Sequence, residues 1–293
     1  MEVIRGVRQM QEKALTVRAA GRSIALVPTM GFLHEGHLEL MRVGRRLCDV
    51  LVISIFVNPT QFGPSEDFDQ YPRDEEGDLQ KARDVGVDLV FIPTAREMYP
   101  EGFQSVVHVE RVTQGLCGTS RPGHFDGVTT VVAKLFNIVG PDVAVFGQKD
   151  YQQLTAISRM VTDLNMPIKI VGVPTVREPD GLAMSSRNKY LDQEERASAL
   201  SLKKSLDLAE RMLAEGETDA GVVRQAVESL ILEHPHTRID YVTLCDPVSL
   251  EEVTRLGEET LLALAVHVGR TRLIDNRVIR KGTPGPPEGE GAS

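Results

Sequence analysis

Apolar positions along the chain follow two rhythms. Short, nearly unbroken apolar runs rich in β-branched residues are "SIALVP" (23–28), "DVLVISIFVNP" (49–59), "VDLVFIP" (87–93), "PDVAVFG" (141–147) and "IKIVGVP" (168–174). They predict buried strands. Between them lie stretches with helical spacing, at 74–86, 127–139 and 150–164. "HLELMRVGRRLC" sets Leu38, Met41 and Leu47 near one helical face. Residues 2–20 also read as a helix, with Val3, Ile4, Val7, Met10, Ala14, Leu15 and Val17 near that spacing. Apolar strands alternating with helices predict an α/β, Rossmann-like doubly wound domain, its parallel sheet covered on both faces.

After residue 176 the rhythm changes. One long charged helix is expected over 192–216 and another over 219–234, followed by strands at 238–246, 260–269 and 271–279. Helices followed by strands predict a smaller α+β domain. The division expected is therefore 1–176 and 177–282, with a Gly/Pro-rich tail, 283–293, expected to be disordered.

Composition narrows the function. Hydrophobic residues make up 41% and charged residues 26% of 293, as in ordinary globular proteins. No apolar run approaches the ~18 residues of a membrane span, and the N-terminus lacks the pattern of a secretory leader, so a cytoplasmic protein without membrane partners is expected. Cys48, Cys117 and Cys245 are too scattered for a disulfide framework or a cysteine zinc site. A net charge of −9 without a basic cluster argues against nucleic acid as partner. A small anionic ligand stays open, because a few amides and one or two cations hold a phosphate.

The chemistry gathers at predicted strand ends. "VPTMGFLHEGHLELM" (27–41) places His34 and His37 three apart, with Gly31 before them and Gly36 between. A zinc motif needs His-Glu-x-x-His, and this string is one residue short. A phosphate-binding turn at a helix N-terminus suits the pair, since imidazoles donate to phosphate oxygens. On these residues alone, two solvent-facing turn histidines fit equally well. "FGQKDYQQL" (146–154) offers Lys149 for phosphate and Asp150 as a helix cap or ribose contact, and "DGLAMSSRNKYL" (180–191) offers Ser185, Ser186 and Arg187 as donors. In "IFVNPTQFGPSEDFDQYPRD" (55–74), Asn58 and Gln61 could fix a small polar substrate, and Tyr71 follows. "TSRPGHFDGVTT" (119–130) adds Arg121 and His124. Each cluster is also an ordinary cap or polar loop; together they describe one pocket for a phosphate-rich ligand.

"PTMGFLHEGH", "FVNPTQF", "RPGHFDGV", "FGQKDYQQ" and "MSSRNKYL", in this order, resemble the pantoate–β-alanine ligase family. The histidine turn is similar to the His-x-Gly-His turn of nucleotidylyltransferases. The resemblance implies condensation of (R)-pantoate with β-alanine, using ATP and Mg²⁺, through a pantoyl adenylate, with release of AMP and pyrophosphate by a cytoplasmic homodimer whose smaller domain acts as a lid. It implies that His34 and His37 contact the ATP phosphates, His37 as general acid. Lys149, Ser185, Ser186 and Arg187 would hold the triphosphate, with Met30, Gly31 and Met184 beside it. Gly147 and Asp150 would meet the ribose and Val176 the adenine. Gln61 and Gln153 would bind pantoate, with Met30 and Asn58 near them and Tyr71, Arg121 and His124 at the edge of the substrates, and Asp78 would contact Mg²⁺. Three rival readings remain. A nucleotidylyltransferase would stop at a stable nucleotidyl product and need cations where Gln61 and Gln153 are neutral. A tRNA-charging relative would need a basic domain, and a nucleotide sensor would not need His34, His37, Lys149 and Arg187 together.

Overall fold

A computed structural model describes residues 1–64 and 66–282; the tail expected at 283–293 lies outside the described residues. In chain order the elements are β1 (Glu2–Ile4), α1 (Val7–Ala19), β2 (Ile24–Thr29), α2 (Glu35–Leu47), β3 (Val50–Ile55), α3 (Glu75–Val85), β4 (Leu89–Phe91), α4 (Ala95–Met98), α5 (Cys117–Ser120), α6 (His124–Val139), β5 (Val143–Gly147), α7 (Tyr151–Asp163) and β6 (Lys169–Val173). They continue with α8 (Gln193–Ala199), α9 (Ser201–Ala214), α10 (Ala220–Leu232), β7 (Thr237–Cys245), β8 (Glu259–Val268) and β9 (Thr271–Arg280).

The chain forms two compact units. Of the described residues, the first holds 1–114, 121–176 and 184–186; the second holds 115–120, 177–183 and 187–282. Two short segments thus depart from a single cut after Val176.

The first unit is a six-stranded sheet in the order β1-β4-β3-β2-β5-β6, with every pairing parallel. Its strands are apolar on both faces. Ala25, Val27, Leu51 and Ile53 pack with Leu40 and Met41 of α2 and Ala82 of α3. The alternate residues Ile24, Leu26 and Val52 point to the other face, by the period of a strand, and are also buried. There α1 and α6 pack on β2, and α7 on β5. From β2 the chain runs outward through β3 and β4, then returns to the other side of β2 for β5 and β6. The reversal opens a crevice at the carboxyl ends of β2 and β5, where ligands bind in such sheets.

Two expectations about elements change. The opening segment is not all helix: Glu2–Ile4 is an edge strand paired with β4, and the helix starts after the extended Gly6. Three residues are too few to display a period of two, and Ile4 is buried by the pairing. The long helix expected at 192–216 is two helices, α8 and α9, that meet at Leu200. Ala199, Leu202, Leu206, Ala209 and Leu213 continue one apolar stripe across the break, so the periodicity does not register it.

In the second unit, β7, β8 and β9 form an antiparallel sheet with β8 central. Helices α9 and α10 bury one apolar core with it, including Leu206, Val223, Val227, Leu262, Leu264 and Val266. The segment 177–183 is fastened to this sheet by Arg177, whose guanidinium donates to both oxygens of Asp275 at 2.6 and 3.0 Å and to the Gly181 carbonyl at 3.1 Å. Asp275 is buried. Removing one partner of such a pair strands the other charge. Asp275→Ala is therefore expected to destabilise this unit by about 3 kcal/mol, read as a lower urea midpoint with an unchanged slope.

Candidate active site

The turn after β2 is held in an unusual backbone shape. Gly31 has φ +82° and Phe32 φ +50°, a left-handed pair that a non-glycine residue adopts at a cost. The compensation comes from α3. Asp78 accepts the Phe32 N–H at 2.7 Å on one carboxylate oxygen and the Leu33 N–H at 2.6 Å on the other. One turn later, Lys81 donates to the Leu33 carbonyl at 2.8 Å. A Cβ at Gly31 would stand 2.9 Å from Asp78 Oδ2 and 3.0 Å from Ile55, so glycine is required for space as well as for φ. Asp78 thereby holds the turn. It is buried, both of its oxygens carry backbone hydrogen bonds, and among the described residues no group of three His, Cys, Asp or Glu gathers to hold a metal ion. Burial raises its pKa, and the two backbone N–H groups oppose that rise.

The turn delivers His34 as N-cap of α2 and His37 into its first turn. Their rings lie 4.0 Å apart, centre to centre, tilted by 32°. Gly36 leaves room for this, because a Cβ there would meet the His34 ring at 2.9 Å. The His34 N–H points to Nδ1 of His37 at 3.3 Å. That nitrogen acts as acceptor, so the neutral ring carries its hydrogen on Nε2 and presents a donor. The pKa of His37 is pushed well below the usual imidazole value, first by burial, then by His34, Lys149 and Lys81. The Lys149 ammonium, at the end of β5, therefore acts on His37, which follows β2.

Lys149 and Asp150 sit in a 3-10 turn (Gln148–Asp150) that follows Gly147 at the end of β5. Met184 closes the other side. Its N–H donates to the Val176 carbonyl at 3.0 Å, and its Cβ lies 3.7 Å from where a Cβ of Gly36 would be. Ser186 donates to the Phe32 carbonyl at 3.3 Å. Met184 and Ser186 are thus brought against the histidine turn, with Ser185 between them and Val176 paired to Met184. Arg187 belongs to the second unit.

After β3, a second 3-10 turn (Pro59–Gln61) presents Gln61, whose Nε2 reaches the Met30 sulfur at 3.4 Å. Asn58 holds it. Asn58 Nδ2 donates to the Gly127 carbonyl and to Gln61 Oε1, both at 3.1 Å. Asn58 Oδ1 accepts from the Thr60 N–H at 3.4 Å, the Thr60 hydroxyl at 3.0 Å and Tyr99 at 2.7 Å.

The sequence and fold of this chain have counterparts among known proteins. A family model described as pantoate–β-alanine ligase matches residues 2–278. The chain belongs to that family. Pantothenate synthetase of Syntrophus aciditrophicus is 57% identical over 95% of this chain and 97% of that protein, and that of Geobacter sulfurreducens 57% over 95% and 99%. The crystal structure of pantothenate synthetase from Thermus thermophilus superposes with a TM-score of 0.89 at 44% identity, covering 94% of this chain and 99% of that one. The ligase from Francisella tularensis, solved in complex with a β,γ-ATP ligand and β-alanine, superposes with a TM-score of 0.79 at 32% identity, over 95% and 97%.

Several residues expected at the substrates are engaged by the protein itself. Asn58 is 1% exposed and hydrogen-bonded as described. Tyr71 is buried, its ring 6.0 Å from that of Phe62 in a small aromatic cluster with Phe68. Arg121 and His124 both turn to the Gln61 main-chain carbonyl. Of two adjacent glutamines on α7, Gln152 is buried with its amide on the Val112 carbonyl at 3.0 Å, while Gln153 is partly exposed. Lys81, Glu66, Tyr99 and Gly127 escape the sequence reading. Gly127 carries the most legible signal, a glycine inside a helix: a Cβ there would run into the backbone of Thr60 and Gln61.

His124 is held neutral. Burial and the Arg121 charge push its pKa from 6.5 down to about 4, against the pull of Gln61, Glu66 and Asp150. The unfolded chain takes up a proton below pH 6.5 that the folded chain refuses until about 4, so stability falls as pH drops through that interval. His37 adds in the same direction. His124→Asn should therefore lose less of its thermal midpoint than the parent between pH 7 and about pH 4, as followed by circular dichroism. Parallel curves would count against a neutral His124.

Proposed function

We propose that this chain condenses (R)-pantoate with β-alanine at the expense of ATP, giving pantothenate, AMP and pyrophosphate. The observation that carries the reading is the meeting of three segments at one sheet edge. The His34–His37 pair, Lys149 and the Met184–Ser186 segment line one side, and Met30 links them to Gln61.

A carboxylate is a poor acyl donor. In the first step a pantoate carboxylate oxygen attacks the α-phosphorus, the bond to the bridging oxygen breaks, and pyrophosphate leaves with the electron pair. Charge grows on the departing phosphates. Donors fixed beforehand stabilise it most: Nε2–H of His37, with His34, Lys149 and the hydroxyl of Ser185 assigned beside it; the one hydroxyl hydrogen of Ser186 goes to the Phe32 carbonyl and would have to turn to reach a phosphate. The low pKa of His37 supports a neutral donor rather than a resting general acid; bound polyanion would draw its pKa back upward. Arg187 joins this set on the family motif alone. Gly147, Asp150 and Val176 are assigned to the nucleoside. Gln61, Gln153 and Met30 are assigned to pantoate; Gln61 offers donor hydrogens to its oxygens. In the second step the β-alanine amine attacks the acyl carbon, the acyl–phosphate bond breaks, AMP leaves, and the amine gives up a proton.

Mg²⁺ belongs to the proposal only as a companion of the triphosphate. Such ions keep much of their water and bind mainly through phosphates, and the carboxylate expected to contact one, Asp78, is engaged by backbone. Assembly as a homodimer is proposed on the family resemblance, and residence in the cytoplasm on the sequence pattern. Among the described residues no helix is long and apolar enough to cross a membrane.

Incubation with ATP, Mg²⁺, pantoate and β-alanine, omitting each in turn, should give pyrophosphate only when ATP and pantoate are both present, and sustained release of AMP only when β-alanine is present as well. A stable nucleotidyl product would favour a nucleotidylyltransferase instead. His37→Ala and Lys149→Ala should fold normally and lower adenylate formation by about two orders of magnitude. Near-parental turnover in either variant removes these roles.

A further inference from the structure

Beside Gln61 lies a charged group whose contacts converge on a main chain rather than on open space. Arg121 meets Glu66 through two parallel hydrogen bonds, Nε to Oε1 at 2.7 Å and Nη2 to Oε2 at 2.6 Å. Its Nη2 also reaches the Gln61 carbonyl at 3.3 Å, and its Nη1 reaches His124 Nε2 at 3.0 Å. His124 Nδ1 lies 2.8 Å from the same carbonyl oxygen. A carbonyl only accepts, so Nδ1 carries the hydrogen. Nε2 is then the acceptor that an arginine, which only donates, requires. The three side chains form one directed circuit: Glu66 orients Arg121, Arg121 orients His124, and guanidinium and ring both close on one peptide group.

We propose that Glu66, Arg121 and His124 are positioning residues for pantoate, acting through the main chain of Gln61. This rests on the proposed reaction. Gln61 ends a short 3-10 turn, and its side chain has several rotatable bonds. Its amide tip is caught by Asn58 and Met30. Its root is caught by His124 and Arg121. Fixing both ends removes the side chain's freedom before substrate arrives, which is how a supporting shell improves binding. The close seat of α6 against this turn, made possible by Gly127, brings His124 within reach. The circuit also needs an uncharged ring, because a hydrogen on Nε2 would face the guanidinium. The low pKa of His124 agrees with that requirement.

A direct substrate contact and a purely structural brace make different demands. In a brace, loss of the circuit lowers the thermal midpoint and weakens both substrates alike. In a direct contact, no substitute for the ring succeeds. Asparagine is the discriminating replacement, because its Nδ2 stands close to where the histidine Nδ1 stood. It keeps the donor to Gln61 while losing the contact with Arg121.

The test is steady-state kinetics of the full chain with ATP, pantoate and β-alanine, together with thermal midpoints. The parent must turn over these substrates; if it does not, the proposed reaction fails, whatever the circuit does. Given turnover, His124→Ala and Glu66→Gln should raise KM for pantoate about tenfold, as a small misplacement of a binding group does. Their KM for ATP should stay within about twofold, and His124→Asn should recover most of the loss. Equal rises for both substrates, an unchanged pantoate KM, or His124→Asn as impaired as His124→Ala would each overturn the proposal. Should His124→Ala fail to fold, Glu66→Gln and His124→Asn still decide, since the first preserves size and each keeps one polar contact.

Discussion

Two backbone N–H groups, those of Phe32 and Leu33, end on one buried carboxylate, and the site is built around that fact. A left-handed residue next to a left-handed glycine does not persist unaided. Asp78 makes it persist, and Lys81 ties the same turn from its carbonyl side. Because the turn is held, α2 begins at Glu35 with His34 as its cap, and the two imidazoles stack where the sheet opens. Chemistry at one strand end therefore depends on a helix that follows a different strand.

The charge balance of that corner follows. His34, Lys149 and Lys81 all press on His37 in the same direction, and Asp78 spends both of its oxygens on the backbone. Burial and this repulsion keep His37 uncharged. Such a corner is poised for an anion: each negative oxygen that enters relieves repulsion already present, and meets donors that need not reorient.

Much of this was legible in the chain, unevenly. The long apolar runs announced the inner strands because both of their faces are buried; Glu2–Ile4 did not, because three residues show no period. His34, His37, Lys149, Ser185 and Ser186 stood out because their types are uncommon together in such loops, and the parallel sheet explains why the turns that carry His34, His37 and Lys149 follow neighbouring strands. Asn58, Tyr71, Arg121 and His124 were equally visible as polar or aromatic residues of loops, but residue type does not say whether a side chain faces a ligand or a neighbouring peptide. That depends on the approach of α6, and its local trace is Gly127. Glu66 and Lys81 look like any charged surface residue until their partners, distant in sequence, are known.

The amide of Asn58 has one orientation, since its oxygen takes the Thr60 N–H and its nitrogen gives to the Gly127 carbonyl. Peptide groups at both ends thus dictate a polarity that passes to Gln61. No exchange of side chain at Thr60 or Gly127 can invert it, as every residue but proline carries the same two groups. As long as Asn58 and Gln61 stand there, the preference for an oxygen over an amine at that spot is set by the main chain, and a change in it needs a new residue at one of those two positions.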